Sequence, residues 1–169
     1  MRNLTHITFE FDEEALRKEC FSFVDWDKYV DDRYSDADKS PFEVVYDHTH
    51  DMPVALKESQ RFIEYYGLQK YTPKTLYHKL LANSILTPHI DDQVQCAVNC
   101  LLHDREAHNA NVMFFDDEGM EKCKYHKAVL NVSHTHGVKN GPYDRYMFKL
   151  SFYDLSFEQL TEIINNKEV

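Results

Sequence analysis

From Leu4 to Phe11 (LTHITFEF) apolar and polar residues alternate, the pattern of a half-buried strand. Asp12 then precedes EEALRKECF, an N-cap followed by acidic residues in the first turn, and this predicts a first helix. The polar, acidic run 27–40 (DKYVDDRYSDADKS) predicts a surface loop. FEVVY, 42–46, is a short strand; Asp51 with Pro53 near the first helical position opens a second helix, which Gly67 closes. From Lys74 onward the period shortens to two, with segments rich in Val, Leu, Tyr and Phe between turn residues. These candidate strands are 74–83, 85–90, 94–102, 111–115, 120–126, 128–133, 136–139 and 145–153, with FDDEG (115–119) as a hairpin turn. Ser156 and Gln159 form a capping box that starts a C-terminal helix. Many short strands in so short a span predict a mainly β fold with flanking helices, a barrel or two-sheet jelly roll rather than an open sheet.

Composition narrows the picture further. A chain of 169 residues suits a single domain, 1–169, built around one core: N-terminal strands and helices over 1–73, a β core over 74–153 and a closing helix over 154–169. The formal charge of −10 argues against nucleic acid as a partner, because phosphate binding needs clustered Lys and Arg. The first residues, MRNLTHITFEFDEE, contain no apolar core of signal-peptide length, and no run approaches the ~20 apolar residues of a membrane span. The expectation is a cytoplasmic protein without a membrane partner. Its 4 cysteines include no CxxC pair and read as reduced thiols. Cys96 and Cys100 alternate in phase with Val98 and Leu102, as packing residues on a buried face.

Candidate chemistry enters at TPHIDD, 87–92. With 10 histidines and abundant aspartate, about one His-x-Asp is expected by chance alone, so the spacing needs support from elsewhere. Residues two apart on a strand share a face, so His89 and Asp91 can bind one ion together. Support comes from LNVSHTHGVKNGPYDRYMFKLSF, where His136 starts a strand and Arg145 lies in the next. Two imidazoles and one carboxylate on one side of an ion, with the other positions open, suit non-haem Fe(II) and oxygen chemistry. His134 is a rival for the distal ligand, and His48 and His50 offer a further His-x-His pair of the kind found in cupin-like sites. His103, His108 and His126 read as exposed or turn histidines. On the last strand, Tyr146, Phe148, Leu150 and Phe152 share one face, and Arg145, Met147, Lys149 and Ser151 share the other.

Together these elements resemble the Fe(II)/2-oxoglutarate-dependent dioxygenases, in the compact branch of prolyl-hydroxylase-like and small phage-borne oxygenases. The resemblance spans roughly 74–153. It rests on His89-x-Asp91, on CAVNCLL with Asn99, on LNVSHTHGVKN with His136, and on Arg145. It implies a double-stranded β-helix, a cupin-like barrel with Fe(II) held by His89, Asp91 and His136. It also implies 2-oxoglutarate as co-substrate, chelating the iron at one end and pairing its far carboxylate with Arg145. The reaction implied is hydroxylation by O2 of an amino acid, a peptide or another small polar substrate, with release of succinate and CO2. Asn99 belongs to the co-substrate side of that pattern. The sequence departs from the family at Met147, where many members carry a Ser or Thr; a hydroxyl from another strand, Tyr77, is expected to stand in. A non-catalytic, cupin-like metal or ligand-binding module, and a keto-acid-independent cupin dioxygenase using His48, His50 and His134, remain as alternatives. Oligomeric state stays open.

Overall fold

The structure, a computed structural model, describes residues 3–29, 40–102 and 111–168. Its elements follow in the order β1 (Leu4–His6), α1 (Glu13–Cys20), β2 (Asp27–Lys28), β3 (Phe42–Tyr46), α2 (Pro53–Tyr66), β4 (Lys74–Leu80), β5 (Ile85–His89) and β6 (Cys96–Leu101). There follow β7 (Asn111–Asp116), β8 (Gly119–Cys123), β9 (Lys127–Leu130), β10 (His136–Lys139), β11 (Arg145–Phe152) and α3 (Phe157–Glu168). The strands form two antiparallel sheets, one of seven strands in the order β1-β9-β6-β11-β4-β3-β2 and one of four in the order β5-β10-β7-β8. Two antiparallel sheets with flanking helices match the two-sheet arrangement that the strand pattern predicts, and they form the double-stranded β-helix that the resemblance implies.

Local chemistry sets several of the boundaries. Asp12 Oδ1 accepts from the Ala15 amide and caps α1. Ser156 and Gln159 exchange their side-chain-to-backbone hydrogen bonds at the start of α3. In the β7–β8 hairpin, Asp116 Oδ1 accepts from the amides of Glu118 and Gly119. Gly67, at φ 69°, ends α2 in the left-handed conformation that suits glycine.

Other expectations need correction. The alternation of Leu4 to Phe11 produces a ladder only as far as His6, because β1 pairs with β9 alone and the chain then leaves the sheet edge. Phe9 and Phe11 pack instead among the helices, against Phe62 and Phe148. Within the expected loop 27–40, Asp27 and Lys28 pair with β3 as an edge strand; 30–39 lie outside the described residues. Asp51 is not the cap of α2. Met52 occupies that position without a side-chain acceptor, and Glu19 of α1 accepts from the Val54 and Ala55 amides at 2.8 and 2.9 Å. A single core also proves too simple. The helices pack with Val98, Phe148, Leu150 and Phe152 on the outer face of the larger sheet, while further apolar clusters lie on its inner face.

The register of β11 explains why both faces are filled. It is hydrogen-bonded to β4 on one side and β6 on the other, so neither edge is open. Phe148, Leu150 and Phe152 point to the helices, and Arg145, Met147, Lys149 and Ser151 line the space between the sheets. Tyr77 sits opposite Phe148 and therefore shares the helix-facing side. Its hydroxyl donates to Glu19 Oε2 at 2.6 Å. Tyr77 thus cannot supply a hydroxyl beside Arg145, which corrects the sequence expectation. Glu19 instead ties α1 to α2 and β4, and Glu19→Ala would leave Tyr77 and two helix-end amides without that acceptor. The expected loss is about 1–3 kcal/mol, read from urea unfolding, with Glu19→Gln costing less.

Candidate metal centre

Between the sheets lies a cavity of about 590 Å³, within the usual size of a small-molecule site. The four-stranded sheet contributes His89 from the end of β5 and His136 from the start of β10, which are paired residues in the ladder. Their rings lie 4.4 Å apart. Gly137 permits this closeness, since a β-carbon there would meet the Leu86 carbonyl oxygen at 2.9 Å and the Pro88 nitrogen at 3.3 Å. Asp91 lies past the end of β5, where its amide donates to the Val132 carbonyl at 2.9 Å. Its carboxylate comes back to the histidines: Oδ1 is 3.1 Å from His89 Nε2 and 3.7 Å from His136 Nε2. One donor atom from each of the three falls within 4.8 Å of the others.

The tautomers suit a cation. His89 donates its Nδ1–H to the Thr87 carbonyl at 2.7 Å, and His136 donates its own to the His134 carbonyl at 2.9 Å. Both rings therefore keep Nε2 as the nitrogen that faces Asp91, the arrangement common among metal-binding imidazoles. Burial, chiefly, pushes the His136 pKa down to about 4, so its ring is neutral at pH 7. Burial alone would raise the Asp91 carboxyl, but the Lys149 ammonium and the hydrogen bond with His89 outweigh it and hold Asp91 well below the usual carboxylate range. His78, on the cavity face of β4, is also kept neutral, its pKa pushed down to about 3 by burial and by Lys149.

At the start of β11, Arg145 is 3% exposed and faces the cavity. Its Nη2 donates to the Tyr125 hydroxyl at 2.8 Å, and Asn99 Nδ2 donates to the same oxygen at 3.1 Å. Nε and Nη1 of Arg145 have no hydrogen-bond partner among the described residues, nor has Asn99 Oδ1. An enclosed guanidinium with idle donors is costly unless an anion completes it. Tyr125, in the connection between β8 and β9, accepts two hydrogen bonds and retains its own O–H to donate.

Several residues weighed in the sequence lie elsewhere. His134 is not grouped with the triad; it contributes its backbone carbonyl to His136. His48 is exposed beside Asp47, and His50 bonds to Thr49 and the Asp25 carbonyl. His126 contacts Glu13 of α1, and His103 and His108 lie outside the described residues. Cys96 and Cys100 are buried in the helix-facing core. The sequence reading missed Tyr125, which is 8% exposed, and the position of Lys149 against Asp91. Aromatic content alone does not single out a tyrosine in a connecting segment.

Neither a protein-family model nor a curated protein sequence matches the chain. Solved structures do. One is a prolyl hydroxylase in complex with a hypoxia inducible factor oxygen degradation domain peptide fragment, from Trichoplax adhaerens. It aligns with a TM-score of 0.68 at 11% identity, over 89% of this chain and 82% of that one. HygX from Streptomyces hygroscopicus, with nickel, 2-oxoglutarate and hygromycin B bound, gives 0.61 at 10% identity, over 90% of this chain and 83% of that one. An oxidoreductase of the 2OG-Fe(II) oxygenase family from Burkholderia pseudomallei gives 0.52 at 13% identity, over 67% and 68%. The likeness is one of fold: this chain has the double-stranded β-helix of 2-oxoglutarate and Fe(II) oxygenases. It also carries a His-Asp-His cluster between its two sheets. No helix among the described residues is long and apolar enough to cross a membrane.

Proposed function

We propose that this protein is an Fe(II)- and 2-oxoglutarate-dependent oxygenase that hydroxylates an amino acid, a peptide or another small polar substrate. The observation that carries the reading is the pairing of two features in one cavity: the His89, Asp91 and His136 cluster, and the buried Arg145 with unpartnered donors. Two imidazoles and a carboxylate fit Fe(II) and leave coordination positions open. A short diacid would complete Arg145 with one carboxylate while its other end reaches the iron. When bound, iron and the keto acid supply oxygen activation: O2, 2-oxoglutarate and a substrate C–H give a C–OH, succinate and CO2.

The chain's own groups orient and exclude. Arg145 binds the far carboxylate with a planar pair of N–H donors. Tyr125 donates its O–H to that carboxylate, and Asn99, acting through Tyr125, fixes the phenol. The hydroxyl that the family pattern places two residues after the arginine is thus supplied by Tyr125, not Tyr77. Tyr125→Phe is expected to weaken 2-oxoglutarate binding by about 1.5–3 kcal/mol, the worth of a hydrogen bond to a charged group, with metal binding unchanged. Isothermal titration of the metal-loaded protein measures both. The reading as a whole is tested by succinate formation from 2-oxoglutarate by the Fe(II)-loaded protein against a panel of candidate substrates. Tight metal binding with no succinate under any of them would favour a non-catalytic metal-binding module.

A further inference from the structure

Lys149 is a charged cavity group that the proposed chemistry leaves without a task. It projects from the cavity face of β11, opposite Leu76 of β4 and Asn99 of β6, with a side chain 17% exposed. Its Nζ donates to Asp91 Oδ2 at 3.3 Å. The other carboxylate oxygen, Oδ1, is the one near both imidazoles, at 3.1 Å from His89 Nε2 and 3.7 Å from His136 Nε2. The two oxygens of Asp91 are therefore divided between two tasks. A carboxylate with both oxygens free can turn to embrace a divalent cation with the pair of them. One whose second oxygen is held by an ammonium cannot do so without breaking a charge-assisted hydrogen bond in a partly buried site.

We infer that Lys149 is a positioning residue for the metal, holding Asp91 Oδ2 so that the carboxylate meets the ion through Oδ1 alone and leaves a coordination position open. The inference rests on the metal reading of His89, Asp91 and His136. It assigns to Lys149 the number of positions left open at the ion, not the capacity to bind it. The anchor is stiff, because β11 is hydrogen-bonded on both edges and packed by helices on its other face.

Mn(II) tests this without turnover, since water-proton relaxation reports the waters in rapid exchange at the bound ion. Lys149→Met removes the ammonium while keeping an unbranched side chain of similar length. The variant should still bind Mn(II), but with relaxivity per bound ion lower by roughly a third. That corresponds to one of the three positions that an octahedral ion has left after three protein donors. Lys149→Arg, which retains a cationic donor for Oδ2, should restore the parent value. If the methionine variant does not fold, Lys149→Gln, whose side chain is shorter, carries the same expected fall. Relaxivity equal to the parent's in a folded, Mn(II)-loaded Lys149→Met or Lys149→Gln protein would overturn the inference and leave the metal site standing. Failure of the parent itself to bind Mn(II) would overturn the metal reading and this inference with it.

Discussion

Alanine at His89, Asp91 or His136 is expected to weaken Fe(II) binding by more than about 100-fold and to abolish turnover. Even the outer partners of metal ligands are worth about 10–100-fold, and here a donor atom itself is removed. His134→Ala is the informative control. The side chain of His134 lies apart from the cluster, and its contribution to His136 is a backbone carbonyl that alanine retains. That variant should bind nearly as the parent does. Anaerobic titration with Fe(II) distinguishes the four proteins, and normal binding by His136→Ala would sink the assignment.

The second large effect concerns Arg145 and separates the co-substrate from the metal. Arg145→Ala should cost 2-oxoglutarate about 3–5 kcal/mol of binding, the range for removing one partner of a buried ion pair, while leaving Fe(II) affinity nearly unchanged. Arg145→Lys should recover only part, because an ammonium cannot reproduce the paired donors of a guanidinium. The charge-transfer band expected of the keto acid on anaerobic Fe(II) provides the readout. A further consequence distinguishes this role from a structural one. In the ligand-free protein Arg145 is buried without a carboxylate partner among the described residues, so Arg145→Met should unfold in urea no earlier than the parent. Parent-like 2-oxoglutarate affinity in Arg145→Ala would remove the co-substrate from the proposed function.

Much of this architecture is legible in the chain because it depends on local periodicity. The eight strands from β4 to β11 fall on the predicted segments, most with ends trimmed by a few positions, while β7, β8 and β9 each gain one residue at one end. His89, His136 and Arg145 are legible because each sits at a strand end or start, which the pattern marks, and Asp91 because it follows His89 by two residues, just past the end of β5. Tyr77 is different. Both faces of β4 are enclosed, one by helices and one by the cavity wall, so alternation shows that Tyr77 and His78 point opposite ways without showing which way. Only the register with Phe148 decides it. Tyr125 and Lys149 acquire their meaning from partners 20 and 58 residues distant, and no local pattern records such pairings. The Glu19 cap on α2 is hidden for the same reason: its acceptor comes from another helix, 35 residues away.

The helices contribute to the core only through the outer face of the larger sheet. The cavity therefore has one thick wall and one thin one. Arg145 and Lys149 stand on the thick wall, whereas His89 and His136 belong to the thin wall, whose outermost strand β8 is almost wholly exposed. Local opening in proteins concentrates where buried apolar contact is sparse. The thin wall is accordingly expected to open locally before the strand that carries the buried arginine. An ion seated on β5 and β10 would then act as a clasp across the softer half of the protein.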